Sequence, residues 1–202
     1  MKVLACGGAG YIGTHVASLL LESGHEVVVY DNLGNGSEAM VRRAGELAGR
    51  TLPLVVGDIR DGTRLGELLA DGAFDCVIHF AALKSVGESV DDPLRYYDNN
   101  VNGMITLLRC MQQADVRNLV FSSSATVYAP DARMPVTEDS PLGPVNPYGN
   151  SKLIAELAMR DVCRAWPDLR AVSLRYFNPA GAHPSGRIGE NPKGVPDNLM
   201  PY

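Results

Sequence analysis

Hydrophobic and polar positions follow two rhythms along this chain. Short runs that are apolar on consecutive positions fall at residues 2–6, 26–30, 52–56, 76–80, 118–122 and 170–175. Between them, at 11–23, 37–48, 62–70, 93–114 and 147–163, the pattern is helical. The first rhythm predicts strands covered on both faces, and the second predicts amphipathic helices. Local signals punctuate both. Gly24 stops the first helix, Ser37 and Asp61 stand at N-cap positions, and Pro147 suits a first helical turn. Strands alternating with helices predict an α/β fold, a doubly wound parallel sheet of Rossmann type with right-handed crossovers. A proline-rich loop covers 129–146, and Gly and Pro crowd the chain from Pro179 onward.

Composition narrows the class. With 202 residues, 46% hydrophobic and 20% charged, the chain can build a sizeable core. Its 18 Lys+Arg against 23 Asp+Glu leave a net charge of −5, which offers nucleic acid or an acidic membrane no attraction. No apolar run approaches the roughly 18 residues that span a bilayer. The N-terminus enters a strand at once and lacks a signal-peptide core. Cys6, Cys76, Cys110 and Cys163 lie far apart in apolar segments, so reduced thiols of a cytoplasmic protein are expected. His79 and His183 have no partner at ligand spacing, and no metal is expected.

The segment Gly7-Gly8-Ala9-Gly10-Tyr11-Ile12-Gly13 joins the first strand to the first helix. Glycines there allow a tight turn and a close backbone approach to a pyrophosphate, and the helix start offers free N–H groups and a positive dipole end. Asp31 ends the second strand, where a carboxylate accepts hydrogen bonds from a ribose and repels a 2′-phosphate. This favours NAD over NADP. Asp58-Ile59 can reach an adenine edge, although Asp58 also suits a helix cap. Phe80-Ala81-Ala82 puts small residues at the end of the fourth strand, where backbone can approach the cofactor.

Tyr148 and Lys152 stand four apart at the start of a helix, on one face. An ammonium beside a phenol favours the phenolate, which makes Tyr148 a candidate general acid/base. Ser122-Ser123-Ser124 closes the fifth strand. Alternation sends Ser122 and Ser124 one way and Ser123 the other. Ser124, furthest out, is the expected proton relay to Tyr148.

These segments, together with 79–89, 96–103 and 174–186, resemble the extended short-chain dehydrogenase/reductase family. Within it the chain is similar to enzymes that invert carbon 4 of UDP-glucose and UDP-galactose. The resemblance implies a catalytic set of Tyr148, Lys152 and Ser124. It implies NAD contacts from Gly7, Gly10, Tyr11, Ile12, Gly13, Asp31, Asn32, Leu33, Asn35, Asp58, Ile59, Phe80, Ala81, Ala82, Lys84, Asn99, Ser122, Tyr148, Lys152 and Phe177. It places Lys84, Val86, Ser124, Tyr148, Asn178, Asn198 and Leu199 near the UDP-sugar. In the implied reaction Tyr148 removes the 4-hydroxyl proton, hydride passes to NAD, the 4-keto sugar rotates, and hydride returns to its other face.

The resemblance also implies a homodimer, packed through 93–114 and 147–163, where Leu153, Ile154, Leu157 and Ala158 exceed one apolar stripe. It implies an NAD-binding domain at 1–175 and, at 176–202, the cut-off start of a substrate lobe. Cys6 departs from the family's usual Thr, whose hydroxyl helps to brace the turn. A catalytically inactive NAD-binding fragment is the alternative function. A 4,6-dehydratase needs an Asp-Glu pair where Ala125 and Thr126 stand.

Overall fold

The structure, a computed structural model, describes residues 1–190. Six strands form one parallel sheet: β1 (Lys2–Cys6), β2 (Glu26–Asp31), β3 (Leu54–Val56), β4 (Cys76–His79), β5 (Asn118–Ser124) and β6 (Arg170–Tyr176). Their spatial order is β3-β2-β1-β4-β5-β6, so the winding reverses between β1 and β4. Such a switch point leaves a crevice at the carboxyl ends of the strands.

Helices α1 (Tyr11–Glu22) and α2 (Glu38–Leu47) pack on one face, where Ala5, Val27 and Val29 meet Ala17, Leu21 and Val41. The opposite face carries α3 (Gly62–Gly72) and two helices given below. Their core includes Leu4, Cys6, Leu65, Leu69, Val77, Leu107, Met111, Leu119, Phe121 and Met159. The fold is therefore the expected doubly wound sheet. Ser37 and Asp61 cap their helices as expected, accepting from the N–H of Met40 and of Arg64.

One predicted element divides. The helix expected over 93–114 is α5 (Pro93–Tyr96), then a wider π turn (Tyr97–Asn102), then α6 (Gly103–Gln113). A six-residue helix, α4 (Val86–Asp91), precedes it, too short to show a periodicity. The π turn coincides with one long-range anchor. Asn100 is buried and faces away from the helix axis, where its amide holds both polar groups of Leu83 and the Ser151 hydroxyl. Such bulges accompany functional sites. The last helix, α7 (Pro147–Ala165), begins on Asn146, whose side chain accepts from the Gly149 N–H.

The covering is uneven at one corner. Ala171, Ser173 and Arg175 of β6 face α7, while Val172 and Leu174 point the other way and are 48% and 40% exposed. The two-sided cover expected of every strand does not extend to that face of β6 among the described residues.

Candidate active site

The glycine turn is built against backbone. Gly7 has φ +77°, and a Cβ there would lie 2.3 Å from the Ala81 nitrogen. A Cβ on Gly13 would lie 2.6 Å from Gly8 Cα. At Gly10 the nearest atom would be the Gly7 oxygen, 3.5 Å away, so space remains above this position. Gly10 is also the N-cap of α1 and gives the helix no side-chain cap. The first-turn N–H groups thus face an open cradle, which suits a pyrophosphate.

Backbone bonds brace the turn where the hydroxyl of a Thr is missing. The Cys6 carbonyl accepts from Phe80 and Ala81, and the Gly7 N–H donates to Tyr30. Cys6 itself is buried, and burial pushes its thiol up. Gly7, lacking a Cβ, lets the backbone of Phe80 and Ala81 pass close against the turn.

Asp31 reaches back to this turn from the end of β2, accepting from the Ala9 N–H at 3.0 Å and the Leu33 N–H at 2.8 Å. Leu33 takes φ +59°, while Asn35 is exposed in the same loop. Asp58 does not cap a helix. Its carboxylate accepts from Asn32 and from Arg60, and Arg60 also donates to Asp98. The Arg60 bonds hold the Asp58 carboxyl well below the usual carboxylate range. Ile59 sinks into the core beneath Gly103, leaving only its backbone for the cleft. Tyr11 donates its hydroxyl to the Gly181 carbonyl. Lys84 pairs with Glu190 at 3.1 Å, Asn99 donates to Asn100, and Val86 opens α4, partly exposed.

The pair on α7 sits beside the end of β5. Lys152 is buried and donates to the Ser122 carbonyl at 2.8 Å, with its ammonium 5.0 Å from the Phe121 ring centre and 5.9 Å from that of Tyr148. Burial drives its pKa down to about 7, against the pull of Glu156. Tyr148 bonds with the Ser124 side chain, which lowers its pKa, but burial outweighs this and raises it. Burial is thus the larger influence on Tyr148 in the chain by itself.

Ser124 also accepts from the Thr126 hydroxyl at 2.9 Å. Ser123 turns the other way, to Glu156, as alternation requires. Phe177 is exposed, stacks on Tyr128, and is followed by exposed Asn178. Asn198 and Leu199 lie outside the described residues. The residues that sequence reasoning missed are Asn100, Ser151, Glu156 and Arg175. The resemblance touched their segments, but a buried amide or ion pair leaves no periodic signal.

A cleft of about 620 Å³ opens beside Tyr11, lined by Met40, Arg43 and the 179–190 segment. Arg187 ties that segment to Glu46 of α2. The family model described as NAD dependent epimerase/dehydratase matches residues 3–201. The chain belongs to that family. It is 50% identical over 202 residues to the UDP-glucose 4-epimerase of Bacillus subtilis, covering 100% of this chain and 60% of that protein. It is 53% identical over 203 residues to UDP-glucose 4-epimerase 2 of Oryza sativa subsp. japonica, covering 99% and 50%. Among solved structures, the UDP-glucose 4-epimerase of Bifidobacterium longum in complex with NAD+ and UDP superposes with a TM-score of 0.96 at 47% identity, covering 100% of this chain and 61% of that one. The chain thus spans about 50–60% of the length of these relatives.

Proposed function

We propose that the chain is the NAD-binding part of an enzyme that interconverts UDP-glucose and UDP-galactose at sugar carbon 4. The observation that carries this reading is the placement of Tyr148, Lys152 and Ser124 at the carboxyl edge of the same sheet whose β1 end carries the open cradle over Gly10. The identity to UDP-glucose 4-epimerases across the whole chain supports the substrate.

The residues divide the work. The N–H groups at the start of α1 hold the pyrophosphate, and Asp31 takes the adenine ribose hydroxyls. Asp58, fixed by Arg60 and Asn32, meets the adenine edge. Lys152 would hold the nicotinamide ribose and, in its protonated form, puts a positive charge under Tyr148. NAD, when bound, supplies the hydride acceptor and donor and a second positive charge. Tyr148 accepts the proton of the sugar 4-hydroxyl through Ser124, whose own oxygen is oriented by Thr126. Since burial raises the Tyr148 pKa, the phenol stays neutral beside Lys152 alone and would ionise only with the second positive charge that NAD supplies.

The described residues divide as a sheet domain through 175 and the opening of a sugar-binding lobe after it. A second copy is the proposed partner, supported by Val90, Leu94 and Ile154, exposed on helices that pack together. The cytoplasm is the proposed compartment, since all four cysteines are free. The test has two readouts. Equilibrium dialysis should show NAD bound by the parent chain and by Tyr148→Phe. A coupled assay should show UDP-galactose converted by the parent and not by Tyr148→Phe. NAD binding with no turnover in the parent would leave an NAD-binding fragment as the function. No NAD binding by the parent would sink the reading.

A further inference from the structure

A buried ion pair lies behind the reacting side chains. Glu156 and Arg175 have side chains only 10% and 17% exposed, and Arg175 donates to both carboxylate oxygens, at 3.0 and 2.8 Å. Ser123 donates to the same carboxylate at 2.5 Å. The third Arg175 nitrogen donates to the Glu138 carbonyl, and its guanidinium lies 4.9 Å from the Tyr128 ring centre. The carboxylate thus ties α7 to β5 and β6 at once. Bidentate pairs of this kind fix orientation as well as charge.

The spacing gives the pair a direction. Tyr148, Lys152 and Glu156 stand at i, i+4 and i+8 of α7, along one face. Lys152 is the middle member, and its ammonium has one hydrogen-bond acceptor, the Ser122 carbonyl. The titratable groups that face it are few. Tyr148 and Glu156 come from its own helix. β4 turns His79 toward it, buried, stacked on Phe121 and kept neutral. β5 offers the Ser122 carbonyl and the Phe121 ring, and Arg175 of β6 is taken up by Glu156. The π turn presents neutral Asn100 to Ser151, and Glu88 of α4 is bound by Arg95 and Tyr96. Among the described residues, Glu156 is therefore the anion of this surrounding.

We propose that Glu156, gripped by Arg175 and Ser123, is a positioning residue that favours the charged form of Lys152 and holds the reacting face of α7 against β5. This rests on the reading of Lys152 and Tyr148 as the reacting pair. Without an anion one turn away, burial alone sets the protonation of Lys152, and the amine empties at neutral pH. The network gives Ser123, the inward-turned serine of the strand end, a role that Ser124 does not share.

The experiment follows the lysine directly. The chain has four lysines, Lys2, Lys84, Lys152 and Lys193, so the 13Cε lysine resonances are few, and Lys152→Met identifies the one in question. Glu156→Gln should lower the Lys152 titration midpoint by roughly half a pH unit or more, in a chain with parental circular dichroism. Glu156→Asp, which keeps the charge, should recover most of that shift. An unchanged midpoint in folded Glu156→Gln overturns the proposal. So does an equal shift in Glu156→Gln and Glu156→Asp, since packing would then be the cause. If Glu156→Gln does not fold, Arg175→Gln, which takes the counter-charge from the carboxylate, should raise the Lys152 midpoint instead, and an unchanged midpoint in that folded chain overturns the proposal. The titration needs neither NAD nor sugar. A chain that fails to turn over UDP-galactose therefore leaves this result standing, and a failed titration leaves the proposed function standing.

Discussion

Replacing Gly7 and Gly10 separately by alanine should break two different things. At Gly7 the backbone has φ +77°, and the new methyl would sit 2.3 Å from the Ala81 nitrogen and 2.6 Å from its Cα. A left-handed conformation costs an L-residue about 1–2 kcal/mol. Overpacking against backbone that cannot withdraw adds about 1–3 kcal/mol. Gly7→Ala should therefore lose about 2–5 kcal/mol, which for a chain of this size lowers Tm by roughly 5–20 °C. Gly10 has φ −78° and ψ 178°, which alanine adopts freely, and its methyl would touch only the Gly7 oxygen at 3.5 Å. Gly10→Ala should melt within about 1 kcal/mol of the parent, since only the preference for Gly over Ala at an N-cap is lost. Its methyl would instead stand in the cradle over α1 and weaken NAD by tenfold or more, about 1.4 kcal/mol. Urea melts and calorimetric titration with NAD separate the two losses. A Gly10→Ala chain that binds NAD like the parent would refute the cradle, and a Gly7→Ala chain with parental Tm would refute the packing.

Lys152 titrates near 7 in the folded chain against an ordinary 10.5, so the unfolded chain holds one more proton between those values, and stability should rise with pH across that window. Lys152→Met should flatten that rise and raise the urea midpoint at pH 7 while weakening NAD; an unchanged slope would show that Lys152 is not the group responsible. Asn100→Ala should cost about 1–3 kcal/mol and speed hydrogen exchange at the Leu83 N–H, which loses its acceptor; parental exchange there would remove the reason given for the π turn. Arg60→Ala should return the Asp58 carboxyl toward the usual range, seen by NMR, with less than about 1 kcal/mol of stability lost because the pair is partly exposed.

The fold was legible because its strands are apolar on consecutive positions and its helices carry caps. Ser37, Asp61 and Pro147 marked helix starts that the structure places within a residue of expectation. The glycine turn was legible because backbone geometry demands one residue type there. Less legible were features made by a single side chain acting across the fold. The π turn hangs on Asn100 reaching Leu83 and Ser151, contacts 17 and 51 residues away in sequence. Nothing in the spacing of Glu156 and Arg175 marks them as partners, and only tertiary packing buries them together. The environment of Tyr148 was only half legible for a related reason: spacing reports a neighbour's charge but not the water that burial removes.

The uncovered side of β6 bears on handling rather than chemistry. Val172 and Leu174 lie on the outermost strand, and no other described strand pairs with its free edge. An apolar face next to open backbone donors and acceptors is a template on which further chains can add. Preparations of these 202 residues should therefore associate as they are concentrated, starting from this corner. A lysine in place of Val172 should delay the onset of light scattering without touching the cradle on the far side of the switch point.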